Sequence, residues 1–191
     1  MKRRIAILGS TGSIGTQAVE VIENHPDLFE IEVLTAHNNA ELLVKQAIKH
    51  VPNIVIIGNE KKYEFVKESL KQFPIKIFAG IKSIAEIVEL DSIDIVLTAL
   101  VGYSGLLPTL NAIRSGKIIA LANKETMVVA GELVNKYAVK NEVPVIPVDS
   151  EHSAIYQCLT GENPNTIDRI ILTASGGPFR DKDIQFLKNV T

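Results

Sequence analysis

Short apolar runs alternate with amphipathic segments along the first 148 residues of the chain. The apolar runs, rich in Ile and Val, predict strands at 5–8, 31–34, 54–57, 75–78, 95–97, 118–120 and 143–148. Most of these runs are continuous, which is typical of parallel strands that helices cover on both faces. Apolar residues at helical spacing predict helices at about 13–24, 40–50, 60–72, 81–90, 105–115 and 124–140. This order predicts an α/β fold, a Rossmann-like, doubly wound and mostly parallel sheet.

The alternation of strands and helices ends near residue 148. Pro144 and Pro147 precede the polar cluster 149–153, and a short helical stretch then continues to Leu159. A turn-rich connector follows, and one more apolar run, 169–172, predicts a strand. We therefore predict a nucleotide-binding domain at 1–148 and the start of a second, α+β domain at 149–191.

Composition excludes several classes of protein. The chain has 191 residues with 46% hydrophobic and 22% charged residues and a net charge of -2, which describes a globular protein with a real core. Near-balanced charge without a long basic run argues against nucleic acid and against an anionic membrane surface. No stretch approaches the ~20 apolar residues of a membrane span. A single cysteine, Cys158, fits a reducing compartment, so we expect a cytoplasmic protein.

A glycine-rich loop, GSTGSIG at 9–15, lies between the first predicted strand and the first predicted helix. Glycines at this turn let backbone N–H groups approach a phosphate, and the start of the helix adds partial positive charge. Ser10, Thr11 and Ser13 offer further hydroxyl donors. At the first turn of a βαβ chain, this loop predicts nucleotide binding rather than a plain turn.

The end of the second predicted strand bears on the choice between NAD and NADP. An acidic residue there would bind the ribose 2′-hydroxyl of NAD. The chain instead reads Ala36, His37, Asn38 and Asn39, whose polar side chains can donate hydrogen bonds to a 2′-phosphate, so NADP is favoured. An Asn that caps the next helix is an equally good interpretation, and the two roles can coexist.

Two carboxylates follow the last strand of the first domain. Asp149 and Glu151 are two residues apart, so on an extended chain both would point to the same side and suit Mg²⁺ or Mn²⁺. The alternative is a solvated turn in which Asp149 or Ser150 caps the following helix. His152 could act as a base or ligand, although a surface position on that helix is the better interpretation.

Two further polar clusters follow predicted strands. Lys124, between Asn123 and Glu125, could hold a phosphorylated or enolisable substrate, or the three residues could simply begin a helix. Ser175 lies in the glycine-containing segment 173–179, which could line an anion site or form a plain turn.

Five segments, taken together, resemble the 1-deoxy-D-xylulose 5-phosphate reductoisomerases. They are GSTGSIGTQ at 9–17, VGYSGLLPT at 101–109, LANKET at 121–126, PVDSEHSAIYQCL at 147–159 and LTASGGPFR at 172–180. Each is weak evidence alone, but all five occur in the family's order along nearly the whole chain. The resemblance implies a metal-assisted rearrangement of 1-deoxy-D-xylulose 5-phosphate, followed by hydride transfer from NADPH to give 2-C-methyl-D-erythritol 4-phosphate.

The resemblance also implies roles for individual residues. NADPH would be bound by Gly9, Thr11, Gly12, Ser13, Ile14, Gly15, Ala36, His37, Asn38, Asn39, Asn123 and Glu125. Asp149 and Glu151 would ligate Mg²⁺ or Mn²⁺ and, with Lys124, act in catalysis. The phosphorylated sugar would be bound by Lys124, Ser150, Glu151 and Ser175. Many members carry a Lys or Arg where this chain has Asn38, so binding of the 2′-phosphate would depend on neutral donors.

The chain is shorter than the members of the family that it resembles. Family members are about twice as long and form homodimers, so we expect these 191 residues to bind NADPH without turnover. An alternative from another class is a non-catalytic, redox-sensing nucleotide-binding module. A third is a different NADP oxidoreductase for a phosphorylated or acidic metabolite. The segments DSEHS and NKET argue against both.

Overall fold

The computed structural model describes residues 2–163, 166–173 and 179–190 of the chain. The strands are β1 (Arg3–Leu8), β2 (Phe29–Ala36), β3 (Ile54–Ile57), β4 (Lys76–Ala79), β5 (Ile95–Thr98), β6 (Ile118–Leu121) and β7 (Val145–Pro147). The helices are α1 (Ser13–Asn24), α2 (Ala40–His50), α3 (Tyr63–Leu70), α4 (Ile81–Glu86), α5 (Leu106–Arg114), α6 (Lys124–Lys140), α7 (Ser150–Leu159) and α8 (Ile184–Leu187). Short 3₁₀ turns at Glu60–Lys62, Ile87–Glu89 and Gly102–Gly105 precede α3, follow α4 and precede α5.

All seven strands join one sheet in the order β4-β3-β2-β1-β5-β6-β7. Each neighbouring pair runs parallel. The chain moves outward from β1 to β4, then returns to the other side of β1 with β5, so the strand order reverses between β1 and β5. The predicted Rossmann-like fold is therefore confirmed, and the reversal marks where such sheets bind ligands.

Helices cover the sheet with two apolar layers. On one face, α1, α2 and α3 pack Val19, Leu43 and Leu70 onto strand residues such as Ile7. On the other face, the helices between β4 and β7 contribute a second cluster, which includes Ile113. Both faces of the central strands are thus buried, which explains why the strand sequences are continuously apolar. None of the helices in the described ranges combines the length and apolar composition needed to cross a bilayer.

Contacts between Cα atoms divide the chain into two compact units, Met1–Val148 and Asp149–Thr191. We call them the N-terminal unit and the C-terminal unit. The C-terminal unit contributes α7 and α8, neither of which has a buried residue.

The prediction of a strand at 169–172 was wrong. Ile171 is 74% exposed, and residues 169–172 form neither a strand nor a helix. An apolar run becomes a strand only when another strand pairs with its N–H and C=O groups. The described part of the C-terminal unit contains no strand that could do so.

Candidate functional site

A cleft of about 530 Å³ lies where the strand order reverses, and we call it the switch-point cleft. It brings together the first loop, the end of β2, the loop after β5, and helices α4 and α5. Its lining residues are Gly9, Thr11, Gly12, His37, Asn38, Asn39, Ile81, Ile84, Ala99, Leu100, Val101, Ser104 and Pro108. Six of these are residues that the sequence analysis proposed for the cofactor, from two segments far apart in the chain.

Two glycines of the first loop are required by its shape. Gly9 has φ +89°, and a Cβ there would lie 2.7 Å from the carbonyl oxygen of Ala99. A Cβ on Gly15 would lie 2.2 Å from the carbonyl oxygen of Gly9, so this glycine lets α1 pack closely against the loop. Gly12 differs from both, because a Cβ there would make only an ordinary contact at 3.5 Å. Its small size leaves room at the cleft rather than avoiding a clash.

The start of α1 is suited to an anion. The N-cap residue, Gly12, supplies no side-chain hydrogen bond, and the first turn contains no acidic residue. In contrast, α2 and α6 begin with Asn39 and Asn123, whose side chains accept hydrogen bonds from Leu42 N–H at 3.2 Å and Thr126 N–H at 3.0 Å. The partial positive charge at the start of α1 is thus not offset by its own residues, which favours a phosphate.

Ser10 does not contribute its hydroxyl to the cleft, so this part of the sequence interpretation was wrong. Its side chain is fully buried, and its Oγ donates to Oε1 of Gln46 at 2.7 Å. Gln46 Nε2 in turn donates to the carbonyl oxygen of Ser10 at 2.9 Å. The partner lies 36 residues away on α2, and the sequence pattern around Ser10 contains no sign of it.

The end of β2 combines capping with exposed donors. Asn39 caps α2, while Asn38 Oδ1 accepts a hydrogen bond from Asn59 Nδ2 at 3.0 Å. That bond does not use the side-chain NH₂ of Asn38, which remains able to donate. The ring of His37 packs against Gly58, where a Cβ would lie 2.6 Å from His37 Nδ1. The described end of β2 therefore presents polar groups to the cleft without a carboxylate of its own.

Asn123 is buried and joins two loops at the edge of the cleft. Its Nδ2 donates to the carbonyl oxygens of Leu100 at 2.7 Å and Gly102 at 3.0 Å, and to Glu125 Oε2 at 3.1 Å. Its Oδ1 accepts from the N–H and the hydroxyl of Thr126. Asn123 is thus the N-cap of α6, as the helix-start interpretation predicted. Both the oxygen and the nitrogen of its side-chain amide form hydrogen bonds within the protein. Asn123 does not line the cleft itself, but its bonded partner Leu100 does.

The remaining proposed residues of the N-terminal unit lie outside the lining of the cleft. Lys124 and Glu125 are exposed at the start of α6, and Ser13 is exposed in the first turn of α1. Ala36 is 1% exposed in the core, and Ile14 lines a separate apolar groove. The cofactor or substrate roles of these residues stay predictions.

The loop after β5 is a part of the cleft that sequence reasoning missed. Ala99, Leu100, Val101 and Ser104 all line it. The segment VGYSGLLPT, noted at 101–109 for its resemblance, overlaps this loop, but its residue types suggested no chemistry. Only the position of β5 beside β1 brings the loop to the cleft.

In the C-terminal unit, Asp149 is the N-cap of α7. Its Oδ1 accepts hydrogen bonds from the His152 N–H at 2.9 Å and lies 2.6 Å from the His152 ring Nδ1. Ser150 Oγ donates to Glu151 Oε2 at 3.0 Å. The argument from an extended chain was wrong, because Ser150 and Glu151 already lie in the helix. His152 lies on the exposed face of the helix, as the sequence favoured.

The carboxylate and hydroxyl oxygens at the start of α7 are the donors that a hard cation prefers. Within the described ranges, no three or more His, Cys, Asp or Glu side chains are arranged to hold a metal ion. The metal-ligand roles of Asp149 and Glu151 stay predictions. Ser175, the last substrate residue proposed from the sequence, lies outside the described residues.

Two family models match the chain. The model described as 1-deoxy-D-xylulose 5-phosphate reductoisomerase matches residues 5–131. The model described as the C-terminal domain of 1-deoxy-D-xylulose 5-phosphate reductoisomerase matches residues 145–191. Between them they cover most of both units.

Curated relatives and solved structures agree with these matches. The 1-deoxy-D-xylulose 5-phosphate reductoisomerase of Bacteroides thetaiotaomicron is 60% identical over 190 residues, which are 100% of this chain and 49% of that protein. The Porphyromonas gingivalis enzyme is 54% identical over 191 residues, again 49% of its length. The structure of the Zymomonas mobilis enzyme in complex with NADPH matches with a TM-score of 0.90 and 37% identity, over 100% of this chain and 50% of that one.

A second solved structure, described as a DOX-P reductoisomerase in complex with magnesium, matches with a TM-score of 0.87 and 35% identity. The match extends over 100% of this chain and 50% of that one. The chain thus spans about half the length of the curated relatives that it matches.

Proposed function

The chain belongs to the 1-deoxy-D-xylulose 5-phosphate reductoisomerase family, and we propose that it forms the NADPH-binding part and the start of the catalytic part of such an enzyme. The reaction is the metal-dependent rearrangement and NADPH-dependent reduction of 1-deoxy-D-xylulose 5-phosphate to 2-C-methyl-D-erythritol 4-phosphate, in non-mevalonate isoprenoid biosynthesis. The observation that carries the proposal is the switch-point cleft, where the first loop and the residues 37–39 meet.

The N-terminal unit acts as the NADPH-binding domain. Thr11 receives the diphosphate of the cofactor through its backbone N–H, Gly12 leaves room for the approach, and the uncapped start of α1 adds partial positive charge. Gly9 and Gly15 keep the turn tight enough for this approach. Asn123 acts indirectly by fixing the loop that contains Leu100, and Glu125 supports Asn123.

Selectivity for NADPH over NADH comes from His37, Asn38 and Asn39. A carboxylate in this place would repel a 2′-phosphate, whereas the Asn38 NH₂ and the His37 ring provide donors. The relative from Zymomonas mobilis was solved with NADPH, which supports the same cofactor here. Neutral donors give weaker attraction than a fixed cation, so we expect a modest preference.

The C-terminal unit contributes to the metal site and the substrate site. Asp149 and Glu151 would hold Mg²⁺ or Mn²⁺, and a related enzyme was solved with magnesium. When bound, such an ion polarises the carbonyl of the substrate and stabilises the charge that develops on its oxygens. Ser150, Glu151 and Ser175 would bind the phosphorylated sugar, as would Lys124 of the N-terminal unit. Hydride transfer is the chemistry that bound NADPH supplies.

Two finer properties are proposed from the family and the composition. We propose that the complete enzyme is a homodimer, as the resemblance implied. We also propose a cytoplasmic location, which the single cysteine, Cys158, supports because it cannot form a disulfide within the chain.

The test is a titration of the 191-residue chain with NADPH and with NADH, followed by fluorescence of the reduced nicotinamide. We expect saturable binding of NADPH, with a dissociation constant about tenfold below that of NADH. Replacing Asn38 by Asp introduces the missing carboxylate and should remove this preference. Asp149→Ala is the matched control, and it should leave both dissociation constants unchanged.

A second measurement separates the enzyme from the alternative functions. In the presence of Mn²⁺ and 1-deoxy-D-xylulose 5-phosphate, the chain should bind NADPH without oxidising it at an enzymatic rate. Steady oxidation would contradict this expected inactivity while supporting the reaction. In the full-length enzyme, Asp149→Ala should abolish turnover, and an unaffected variant would favour the redox-sensing module.

A further inference from the structure

The first loop is attached to the rest of the N-terminal unit mainly through Ser10. The N–H of Ser10 donates to the carbonyl oxygen of Thr35 at 2.8 Å, which fixes the preceding peptide to β2. The carbonyl oxygen of Ser10 accepts from Gln46 Nε2 at 2.9 Å, which fixes the following peptide to α2. Both peptide groups that flank Ser10 are therefore held from the buried side of the loop.

The pair formed by Ser10 and Gln46 is reciprocal and shielded from water. The Ser10 hydroxyl donates to Gln46 Oε1 at 2.7 Å, and the two residues are 0% and 7% exposed. A buried amide that lost its partner would bear the full cost of desolvation, so each side chain strongly constrains the other. The two buried hydrogen bonds therefore fix the relative positions of Ser10 and Gln46.

This pair also sets the direction of a donor in the cleft. The carbonyl of Ser10 and the N–H of Thr11 belong to one planar trans peptide unit, in which the two bonds point in opposite directions. Because the carbonyl points inward to the buried Gln46, the N–H of Thr11 points outward. Thr11 lines the switch-point cleft, so its N–H is aimed at the place where a diphosphate would lie.

We propose that Gln46 is a positioning residue for the cofactor: through its hydrogen bonds with Ser10, it holds the N–H of Thr11 toward the diphosphate. This inference rests on the proposed function, since it needs a dinucleotide in the switch-point cleft. Gln46 itself does not line the cleft and would not touch the ligand.

The test measures NADPH binding to the 191-residue chain after changes to this pair. Gln46→Met keeps the shape of an unbranched side chain but removes both hydrogen bonds, and it should raise the dissociation constant of NADPH about tenfold. Ser10→Ala, which removes only one bond, should raise it several-fold. The double variant should bind no more weakly than Gln46→Met, because both changes remove the same arrangement.

Gln46→Glu distinguishes the two hydrogen bonds. Measured at pH 9, where the carboxyl group is ionised, the new side chain can accept from the Ser10 hydroxyl but, unlike a protonated acid, cannot donate to the Ser10 carbonyl. The inference requires that donation, so Gln46→Glu should not restore binding. Restored binding would show that orientation of the Ser10 carbonyl is not what matters, and it would overturn the inference.

Two controls separate positioning from a general loss of stability. Val66→Ala removes a buried methyl pair on α3, an element that does not line the cleft, and should lower the urea midpoint while leaving NADPH binding within twofold. Adenosine 2′-monophosphate has no diphosphate, so its dissociation constant should change less than twofold in Gln46→Met. Equal weakening of this ligand, or equal weakening by Val66→Ala, would overturn the inference.

The outcomes also separate this inference from the proposed function. If the unmodified chain binds no NADPH, the proposed function fails, and the inference fails with it. If the unmodified chain binds NADPH but folded Gln46→Met binds it within twofold as well, only the inference fails. Should Gln46→Met not fold, Ser10→Ala decides the question by the same criterion.

Discussion

The two units of the chain differ in what their apolar side chains contact. In the N-terminal unit, large residues such as Ile113 are completely buried between the sheet and its helices. In the C-terminal unit, apolar residues such as Ile171 and Ile184 are 74% and 73% exposed. The parallel sheet provides a surface that helices can cover, whereas the described part of the C-terminal unit has no sheet. Apolar sequence therefore produces a core only where paired strands give it a surface.

The largest expected effect tests this difference directly by removing side chains from the two units. Ile113→Ala should lower the free energy of unfolding by about 3 kcal/mol, because it leaves a cavity in a fully packed layer. Ile171→Ala should change it by less than about 0.5 kcal/mol, since an exposed side chain leaves no cavity. Equilibrium unfolding in urea, followed by circular dichroism, measures both. Equal losses would mean that Ile171 contributes to a core.

The second effect compares the N-caps of α6 and α7, one in each unit. Asn123 is buried and uses both ends of its amide, so Asn123→Ala should cost about 2–3 kcal/mol. Asp149 caps an exposed helix, so Asp149→Ala should cost about 1 kcal/mol in the absence of metal. Urea unfolding without nucleotide measures both values.

Conservative variants show which function of each cap matters. Asp149→Asn retains a capping oxygen and should be nearly neutral. Asn123→Asp also retains the capping oxygen, but it places a carboxylate against the carbonyls of Leu100 and Gly102, so it should recover none of the lost stability. If Asn123→Asp were as stable as the unmodified chain, capping alone would explain this residue.

The elements best predicted from the sequence are those determined by local pattern. The predicted ranges 40–50, 54–57 and 124–140 have the same bounds as α2, β3 and α6. In each, the apolar spacing and the capping or turn residues agree, so little depends on distant parts of the chain. The location of the cleft followed from the fold, because a doubly wound sheet has one reversal of strand order.

The features that the sequence could not predict depend on contacts between distant residues. The pairing of Ser10 with Gln46 spans 36 positions, and the bonds of Asn123 to Leu100 and Gly102 span 23 and 21. No local pattern distinguishes a Ser that faces a ligand from a Ser that faces a buried amide. The prediction that the Asp149 and Glu151 side chains point to the same side was wrong for a different reason. It assumed an extended chain, whereas α7 begins at Ser150, between the two residues.

The smallest expected effect concerns a contact that joins two helices of the N-terminal unit. His50 Nε2 on α2 lies 2.8 Å from Glu23 Oε1 on α1, and Lys49 Nζ lies 2.6 Å from the same oxygen. The corresponding pair of the C-terminal unit, Asp149 with His152, is local to one turn of α7. Only the first pair can report on the packing of one helix against another.

Acidification should therefore lower the free energy of unfolding of the N-terminal unit in two steps. Burial lowers the pKa of His50 below its ordinary 6.5, although Glu23 opposes this change. As the pH falls through 6.5, the unfolded chain binds a proton that the folded chain resists, so the free energy of unfolding decreases. The hydrogen bond from Lys49 lowers the pKa of Glu23 below 4.5, which gives a second decrease as the pH falls through that value.

Urea unfolding between pH 8 and pH 3.5 measures this profile in the unmodified chain and in two variants. His50→Gln should remove the decrease that begins near pH 6.5, and Glu23→Gln should keep it, because Glu23 only opposes the shift of His50. Water screens these partly exposed side chains, so each step should stay below about 1 kcal/mol. If His50→Gln follows the profile of the unmodified chain between pH 7 and pH 5, the burial of His50 does not affect stability. The acid sensitivity would then arise elsewhere in the chain.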